Sequence, residues 1–504
     1  MALSLAAIEG KRTENFIDGA FVAPKSGRYL PSFDPTTGEP WYEAADSDAA
    51  DIDAAVASAK RAFQSPEWRR MTQTQRGKLV AKLADLVGAH AQELGAMETR
   101  DNGKLLKEMV AQCSYTPETF RYFAGMADKI QGDTIPINKL DMLNFTLREP
   151  IGVVGIIVPW NSPMYLIAGN CAPNLAIGNT VVIKPSEHTS ASAVVFAQLA
   201  MEAGFPKGVV NVVTGYGHTA GDALSRHPDI AKLAFTGGSE TGKRVAANAA
   251  QHLAPCNMEL GGKSPHIVFD DADPERAANG IVAGIFAAAG QSCVAGSRVF
   301  VHKRVFDDVV HKVVERGKAV RMGHPANEDT QLGPLAIKAQ LDKVQRYVGY
   351  AQEDGARCVL GGRRPQDAAL AKGWYFEPTL FVDVKNDMRF CRDEIFGPVA
   401  GVIAFEDERD LMRLANDTVY GLAAGIWTRD IDRAMRFARD IDAGLVWINC
   451  YRTAAYTSPS GGFKSSGYGK HNGFEAIREY TRLKNVMIDY SGVTHDPFVM
   501  RMKS

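Results

Sequence analysis

Cysteine is scarce and unpaired in this chain: there are seven among 504 residues, an odd number with no C-x-x-C pair. That usage offers neither a disulfide framework nor a zinc cluster, so no metal site is expected, and it points to a reducing, cytoplasmic compartment. Charge of one sign is equally lacking. Lys and Arg number 57 against 58 Asp and Glu, which leaves no basic surplus to neutralise nucleic-acid phosphates or anionic lipid, and no acidic tail. Long hydrophobic runs are absent too. The longest, such as 151–160, reach about ten residues and contain Gly and Pro, against the roughly 20 that a membrane helix needs. Met1 to Phe16 acquires Glu9, Lys11, Arg12 and Glu14 before an apolar stretch of useful length, which predicts no signal peptide. No period of about 20 to 50 residues and no low-complexity tract is present, which excludes solenoids and disordered linkers.

What is present is 45% apolar residues, enough for two or three cores, since single cores stop growing near about 250 to 300 residues. Ile52, Ala55, Val56, Ala59 and Phe63 recur at helical spacing and 78–94 continues similarly, so the first 130 residues read as largely helical. From Ile151 short apolar runs alternate with helical segments. Strands are expected at 151–158, 181–184, 209–214 and 230–236, then in a second series at 266–269, 298–302, 399–404, 422–427 and 444–449. Such alternation argues parallel sheets covered on both faces, in two α/β domains. The extended segments near 140–148 and 484–490 fit neither and could pair as a small separate sheet.

Several short segments carry chemistry. Gly290-Gln291-Ser292-Cys293 follows an Ala/Gly-rich helix candidate at 274–289. Cys293 alone reads either as a buried small hydrophobe or as an exposed thiol. Glu259 precedes Gly261 and Gly262, residues that let backbone pass close to a ligand. It reads as a surface residue in a turn or, in an apolar setting that raises its pKa, as a general base. Pro159-Trp160-Asn161-Ser162-Pro163 ends a strand, where open parallel sheets place ligand crevices. It is a rigid turn or a mount for Asn161 as an oxyanion donor. Lys184 and Glu187 end another strand, and Glu187 could accept from a ribose diol. Phe235 to Gly242 runs from strand through Gly237 and Gly238 to a helix start, a phosphate site by geometry, although its glycines do not match G-x-G-x-x-G.

Together with Glu394-Ile395-Phe396-Gly397-Pro398, these segments resemble the aldehyde dehydrogenase superfamily in identity, order and spacing, from Phe16-Ile17-Asp18-Gly19 to Gly461–Gly467. The resemblance implies two Rossmann-like domains and a β arm that adds a strand to a neighbouring subunit. It divides the chain into a dinucleotide-binding domain at 1–132 and 149–258, a catalytic domain at 259–475, and an oligomerisation arm at 133–148 and 476–504. It implies Cys293 as nucleophile, Glu259 as general base and Asn161 as oxyanion donor. Lys184 and Glu187 match ribose contacts. Trp160, Gly217, Gly221, Gly237 and Gly238 match positions along the adenosine and pyrophosphate, Gln340, Glu394 and Phe396 match the nicotinamide half, and Pro159, Ser239 and Leu260 are further implied cofactor contacts. Many relatives carry Ser where Gly238 stands, which puts a hydroxyl contact to the pyrophosphate in doubt. The implied cofactor is NAD rather than NADP, because a carboxylate at Glu187 repels a 2′-phosphate. The implied partners are a small aldehyde and further copies of the chain, in a dimer or tetramer.

The implied reaction is oxidation of an aldehyde to an acid through a Cys293 thioester that water releases. Relatives that acylate coenzyme A generally lack the glutamate, so Glu259 favours hydrolysis over that alternative. A cofactor-independent cysteine hydrolase is the rival from another class. Ser162, Gly169, Ala454 and Ser460 stand where relatives acting on small aldehydes often carry aromatic rings, which predicts a wider substrate tunnel, unless Met164, Tyr165 or Tyr456 refills it. Arg452 and Tyr456 are candidates for binding a polar substrate group, with a structural role for Arg452 as the alternative.

Overall fold

Apolar runs with no polar alternation form strands only where both faces of a sheet are covered. The computed structural model, which describes residues 5–494 and 496–498, contains two such sheets. In the first, Val153–Ile157, Thr180–Lys184, Val210–Val212, Lys232–Thr236 and Cys256–Glu259 run parallel. Every residue of the first two is buried. Their spatial order is 256–259, 232–236, 153–157, 180–184, 210–212. The chain therefore builds outward from 153–157, returns, and builds the other way, which opens a crevice at the carboxyl ends of 153–157 and 232–236. Antiparallel strands complete the eight: Gly467–Tyr468 beside 256–259, and Asn15–Ile17 with Ala20–Val22 beside 210–212.

The second sheet has seven strands in the order Arg357–Leu360, Thr379–Val382, Val399–Phe405, Arg298–His302, Pro265–Val268, Ala423–Trp427, Leu445–Ile448, parallel apart from the first. The expected α/β class with two parallel sheets is thus observed. Met142–Pro150 and Thr481–Asp489 pair antiparallel as a separate two-stranded sheet, as their patterning suggested. No described helix is long and apolar enough to cross a membrane.

Other expectations change. The first 130 residues are largely helical from Ala49 onward, as expected, but they open with strands that the pattern did not show: Arg12–Thr13, Asn15–Ile17, Ala20–Val22, Tyr29–Asp34 and Glu39–Ala45. They are too short, or too irregular in burial, to show a period of two. The helix expected across 78–94 is two, Gln73–Ala89 and Ala91–Asn102, meeting at His90. The helix at 274–289 stops at Ile285, because Ala288 and Ala289 are left-handed (φ 55° and 52°). Strands at 256–259, 357–360 and 379–382 also went unread. Ala49–Gln64 is close to expectation. Asp48 and Asp51 form its capping box, and Ile52, Ala55, Val56 and Ala59 face the first sheet's core.

Candidate active site

Successive strands of the first sheet lie about 4.8 Å apart, so residues at their carboxyl ends form a row whose order follows the topology. Glu259 ends its strand at one end of the row. Next comes the Gly237-Gly238 turn, then Pro159-Trp160-Asn161, then Lys184 with Glu187, with Gly217–Gly221 beyond. The row runs from a lone carboxylate to an ion pair across the crevice.

Lys184 is 2% exposed and its Nζ donates to Glu187 Oε2 at 3.2 Å, while the Glu187 side chain is 24% exposed toward the crevice. Burial opposes ionisation of Glu187, but Lys184, the residue's own amide and His188 outweigh it, so the carboxyl lies below its usual range and is charged. The helix Ser239–Ala250 begins at Gly238 with no side-chain cap, so amides of its first turn are left for a ligand. A Cβ at Gly217 or Gly238 would meet nothing within 4 Å, and one at Gly221 only Lys184 Cδ at 3.9 Å. Open space over uncapped amides, beside a charged acceptor, fits a dinucleotide.

Some expected contacts are engaged within the chain. The Ser239 hydroxyl donates to Ser465 O at 3.1 Å. The Gly237 amide donates to Glu259 O, and the Leu260 amide to Ser466 O, with the Leu260 side chain against Gly242. Gln340 Nε2 donates to the carbonyls of Ile395 and Phe396, at 2.6 and 3.0 Å. It holds Phe396 in its left-handed conformation (φ 62°), edge-on to Trp160 at 5.3 Å.

The second sheet contributes the sulfur. Cys293 lies in a loop entered through three consecutive left-handed residues, Ala288, Ala289 and Gly290. Each of the two alanines costs on the order of 1 kcal/mol, so the loop needs clamps. Asn161 Nδ2 donates to Gln291 O at 3.2 Å, which brings the expected oxyanion donor beside it, and Gln291 Oε1 accepts from the Ala336 amide. Gly262 passes so close behind that a Cβ there would lie 2.5 Å from Cys293 O; one at Gly261 would lie 2.5 Å from Glu394 Oε2. These glycines make room for the protein's own backbone and carboxylate, not for a ligand as the sequence suggested. Glu394 Oε1 accepts from the Gly262 amide at 3.0 Å.

Burial, then the charges of Glu394 and Glu259, push the Cys293 thiol up to about 12, while its own amide and that of Val294 pull the other way. Glu259 Oε1 is buried with no hydrogen-bond partner, and burial pushes that carboxyl up to about 8, with Lys470 opposing. Glu259 thus lies near enough for its charge to act on the Cys293 thiol, and its orphaned oxygen is free to take a proton from water once the carboxyl is ionised.

Sequence reading missed Lys104. Its buried Nζ donates to Ser162 Oγ at 3.2 Å, and Ser162 donates to Asn161 O at 2.7 Å. Desolvation lowers this lysine to about 8 against the charges of Glu108 and Glu98. A lone lysine after Gly103 reads as solvated, and only tertiary burial reveals it. Arg452 takes its structural reading, with Nη1 on the carbonyls of Ala283 and Ala287. Tyr456 joins Tyr115 and Tyr122, at 5.7 Å from each. A Cβ at Gly169 would lie 3.9 Å from His471 Nδ1, and Ser460 pairs with His471 through backbone bonds. Met164 is buried.

Comparison with known proteins gives a consistent picture. The family described as "Aldehyde dehydrogenase family" matches residues 21–486. A "(Z)-2-((N-methylformamido)methylene)-5-hydroxybutyrolactone dehydrogenase" of Acinetobacter baylyi is 44% identical over 488 residues, covering 96% of this chain and 99% of that one. A phenylacetaldehyde dehydrogenase of Pseudomonas fluorescens is 40% identical, with 97% and 99% covered. Among solved structures, PnpE in complex with nicotinamide adenine dinucleotide superposes with a TM-score of 0.94 at 42% identity, covering 96% of this chain and 99% of that one.

Proposed function

This chain belongs to the aldehyde dehydrogenase family and oxidises an aldehyde with NAD, and from that premise we propose that Cys293 is its nucleophile, Glu259 its general base and Asn161 its oxyanion donor. The observation that carries the reading is the meeting of Cys293, on a strained loop of the second sheet, with the unpartnered carboxylate of Glu259 and the Asn161 amide from the first. The Cys293 thiolate adds to the carbonyl carbon, and the Asn161 amide, with a backbone amide near Cys293, stabilises the resulting oxyanion. NAD supplies the acceptor for the hydride that leaves this adduct, which becomes a thioester. Glu259 then takes a proton from water, the hydroxide attacks the thioester carbon, and the Cys293 sulfur leaves with the carbon–sulfur pair. Lys184 and Glu187 hold the ribose, the amides after Gly238 the pyrophosphate, and Glu394 with Phe396 the nicotinamide half. Glu259 favours water over coenzyme A as the acyl acceptor.

Replacing Glu187 by Gln removes a charged acceptor whose hydrogen bonds contribute about 1.5 to 3 kcal/mol. NAD affinity should fall about tenfold or more, and relative use of NADP should rise. An unchanged NAD/NADP ratio in kcat/KM refutes the ribose role.

The substrate reading is a bulky aldehyde, aromatic or cyclic. It is supported by the small residues Ser162, Gly169, Ala454 and Ser460, by the tyrosines near Tyr456, and by relatives named for a butyrolactone and for phenylacetaldehyde. Each methylene buried contributes about 0.8 kcal/mol. A kinetic panel with NAD should therefore rank benzaldehyde-sized substrates above acetaldehyde in kcat/KM, and Gly169→Phe should erase that advantage. Equal kcat/KM across the panel removes the wide-tunnel reading.

The division into a dinucleotide-binding unit at 1–132 and 149–258, a catalytic unit at 259–475 and an arm at 133–148 and 476–504 is kept, with one adjustment. Gly467–Tyr468 belongs with the first sheet, to which it is hydrogen-bonded. Residues 1–4, 495 and 499–504 of these ranges lie outside the described residues. The arm makes the protein a homodimer or a tetramer of dimers. Residues 133–135 bond along the outer edge of Met142–Pro150, which leaves the outer edge of Thr481–Asp489 for a strand of a second copy. Leu483, Met487 and Ile488 are exposed on that strand. Light scattering at micromolar concentration should give a dimer or tetramer mass, and a fully active monomer contradicts it. Seven free cysteines support a cytoplasmic location.

A further inference from the structure

The loop bearing Cys293 is also held from the side away from the crevice, by a single ring. Tyr451 follows the strand Leu445–Ile448 and stands between two left-handed residues, Asn449 (φ 55°) and Arg452 (φ 60°). Both are tied down: Asn449 exchanges hydrogen bonds with the backbone of Thr428 at 2.8 and 3.1 Å, and Arg452 donates to two carbonyls at the end of helix Pro274–Ile285.

Three glycines from three segments clear a slot for the ring. A Cβ at Gly425 would lie 2.4 Å from it, one at Gly284 3.0 Å, and one at Gly296 3.0 Å from the hydroxyl. His266 stacks on the ring at 4.6 Å and Trp447 leans on it at 4.8 Å. His266 Nε2 in turn accepts from Trp427 Nε1. With so little freedom, the hydroxyl has a fixed address, and it donates to Val294 O at 2.9 Å, on the residue that follows Cys293.

We propose that Tyr451 is a positioning residue for Cys293: its hydroxyl anchors Val294, so that the Val294 amide faces the sulfur and the sulfur faces the crevice. This rests on Cys293 being the nucleophile. The role follows from the loop's own strain, since three left-handed residues in sequence at 288–290 are followed only by single-turn backbone bonds, Gln291 N to Ala288 O and Ala295 N to Ser292 O, on either side of Cys293. Asn161 fixes the loop at Gln291 from one side, and Tyr451 fixes it at Val294 from the other. The charged and titratable groups around the sulfur are the carboxylates of Glu394 and Glu259, the Lys104 ammonium, and the phenols of Tyr165 and Tyr451, besides the two amides.

Tyr451→Phe keeps the ring in its slot and removes only the anchor. The expected result is a fall in kcat of about tenfold, the scale of one lost hydrogen bond, with KM for NAD unchanged. The midpoint pH for alkylation of Cys293 by iodoacetamide should also move up by about half a unit, because an amide that favours the thiolate is released. Ser264→Ala, which removes a hydroxyl that acts on the Tyr451 phenol but leaves the Tyr451–Val294 bond in place, should have a clearly smaller effect on each of these. Gly296→Ala, whose Cβ would lie 2.9 Å from His266 Nδ1 and 3.0 Å from the Tyr451 hydroxyl, crowds that hydroxyl and should shift kcat and the alkylation midpoint in the same direction as Tyr451→Phe, so it serves if the first variant fails to fold. Wild-type kcat with an unchanged alkylation midpoint in either variant overturns the proposal, as does an equal effect of Ser264→Ala. Aldehyde oxidation surviving in Cys293→Ala would instead refute the nucleophile assignment on which the proposal stands.

Discussion

Cys293→Ala should abolish aldehyde oxidation, lowering kcat by about 10⁴-fold or more, the scale seen when a covalent nucleophile is removed, while NAD affinity measured by calorimetry stays within about twofold. The separation follows from the layout. The groups proposed to hold the adenosine half, Lys184 with Glu187 and the amides after Gly238, belong to the first sheet's row, and none depends on the sulfur for its position. The variant also adds no strain, because an alanine fits wherever a cysteine did and the loop clamps at Gln291 and Val294 remain. Four of the other thiols are poor replacements. Cys113, Cys171, Cys256 and Cys391 are buried, and burial pushes each of these thiols up, away from the thiolate. Mass spectrometry after quenching with substrate should find the acyl group on Cys293 of the wild type. An aldehyde-derived thioester on any other cysteine sinks the assignment.

Glu259→Gln should separate the two halves of the reaction. Rapid mixing with NAD and aldehyde is expected to give a burst of NADH close to one equivalent per active site, followed by turnover slowed by about 10² to 10⁴-fold, the usual contribution of a general base. The sign of the pH effect is fixed by the raised carboxyl. Below about 8 the Glu259 group is protonated and cannot take a proton from water; above it the base is present. Wild-type steady-state turnover should therefore rise through about pH 8, and the residual turnover of the variant should lose that inflection. The fold should tolerate the change, since the amide is isosteric and Glu259 Oε1 has no hydrogen bond to lose. Removing a carboxylate that burial disfavours should leave Tm unchanged or higher. A uniformly slow trace without a burst would place Glu259 before hydride loss and refute its role in deacylation.

The two experiments fail independently. A burst in Glu259→Gln together with activity in Cys293→Ala would keep the base and move the nucleophile. Loss of both burst and turnover in Glu259→Gln, with Cys293→Ala inactive, would keep the nucleophile and give the carboxylate an earlier duty.

Much of this protein is determined by local order in the chain. Fully buried strands have to be written as unbroken apolar runs, and Val153–Ile157, Thr180–Lys184 and Arg298–His302 could be read from the sequence for that reason. A helix with one buried face must repeat every 3.6 residues, which exposed Ala49–Gln64. The site residues were legible because their neighbours are compositionally unusual: Trp160 and Asn161 between prolines, Glu259 before paired glycines, Cys293 after Gly290 and Gln291.

What tertiary structure alone decided is whatever depends on contacts between distant segments. The N-terminal strands have no period, because their partners lie elsewhere: Asn15–Ile17 completes a sheet begun beyond residue 150, and Gly467–Tyr468 closes its opposite edge. Gly261 and Gly262 looked like room for a ligand, and they turned out to be room for Glu394 and for the Cys293 carbonyl, a distinction that only the approach of distant chain can make. Lys104 and Tyr451 carry no local signal at all. Their importance lies in what surrounds them, a half-buried hydroxyl at Ser162 and a slot cut by Gly284, Gly296 and Gly425, and the burial that shifts a pKa or fixes a hydroxyl is a property of the folded volume, which no stretch of sequence contains.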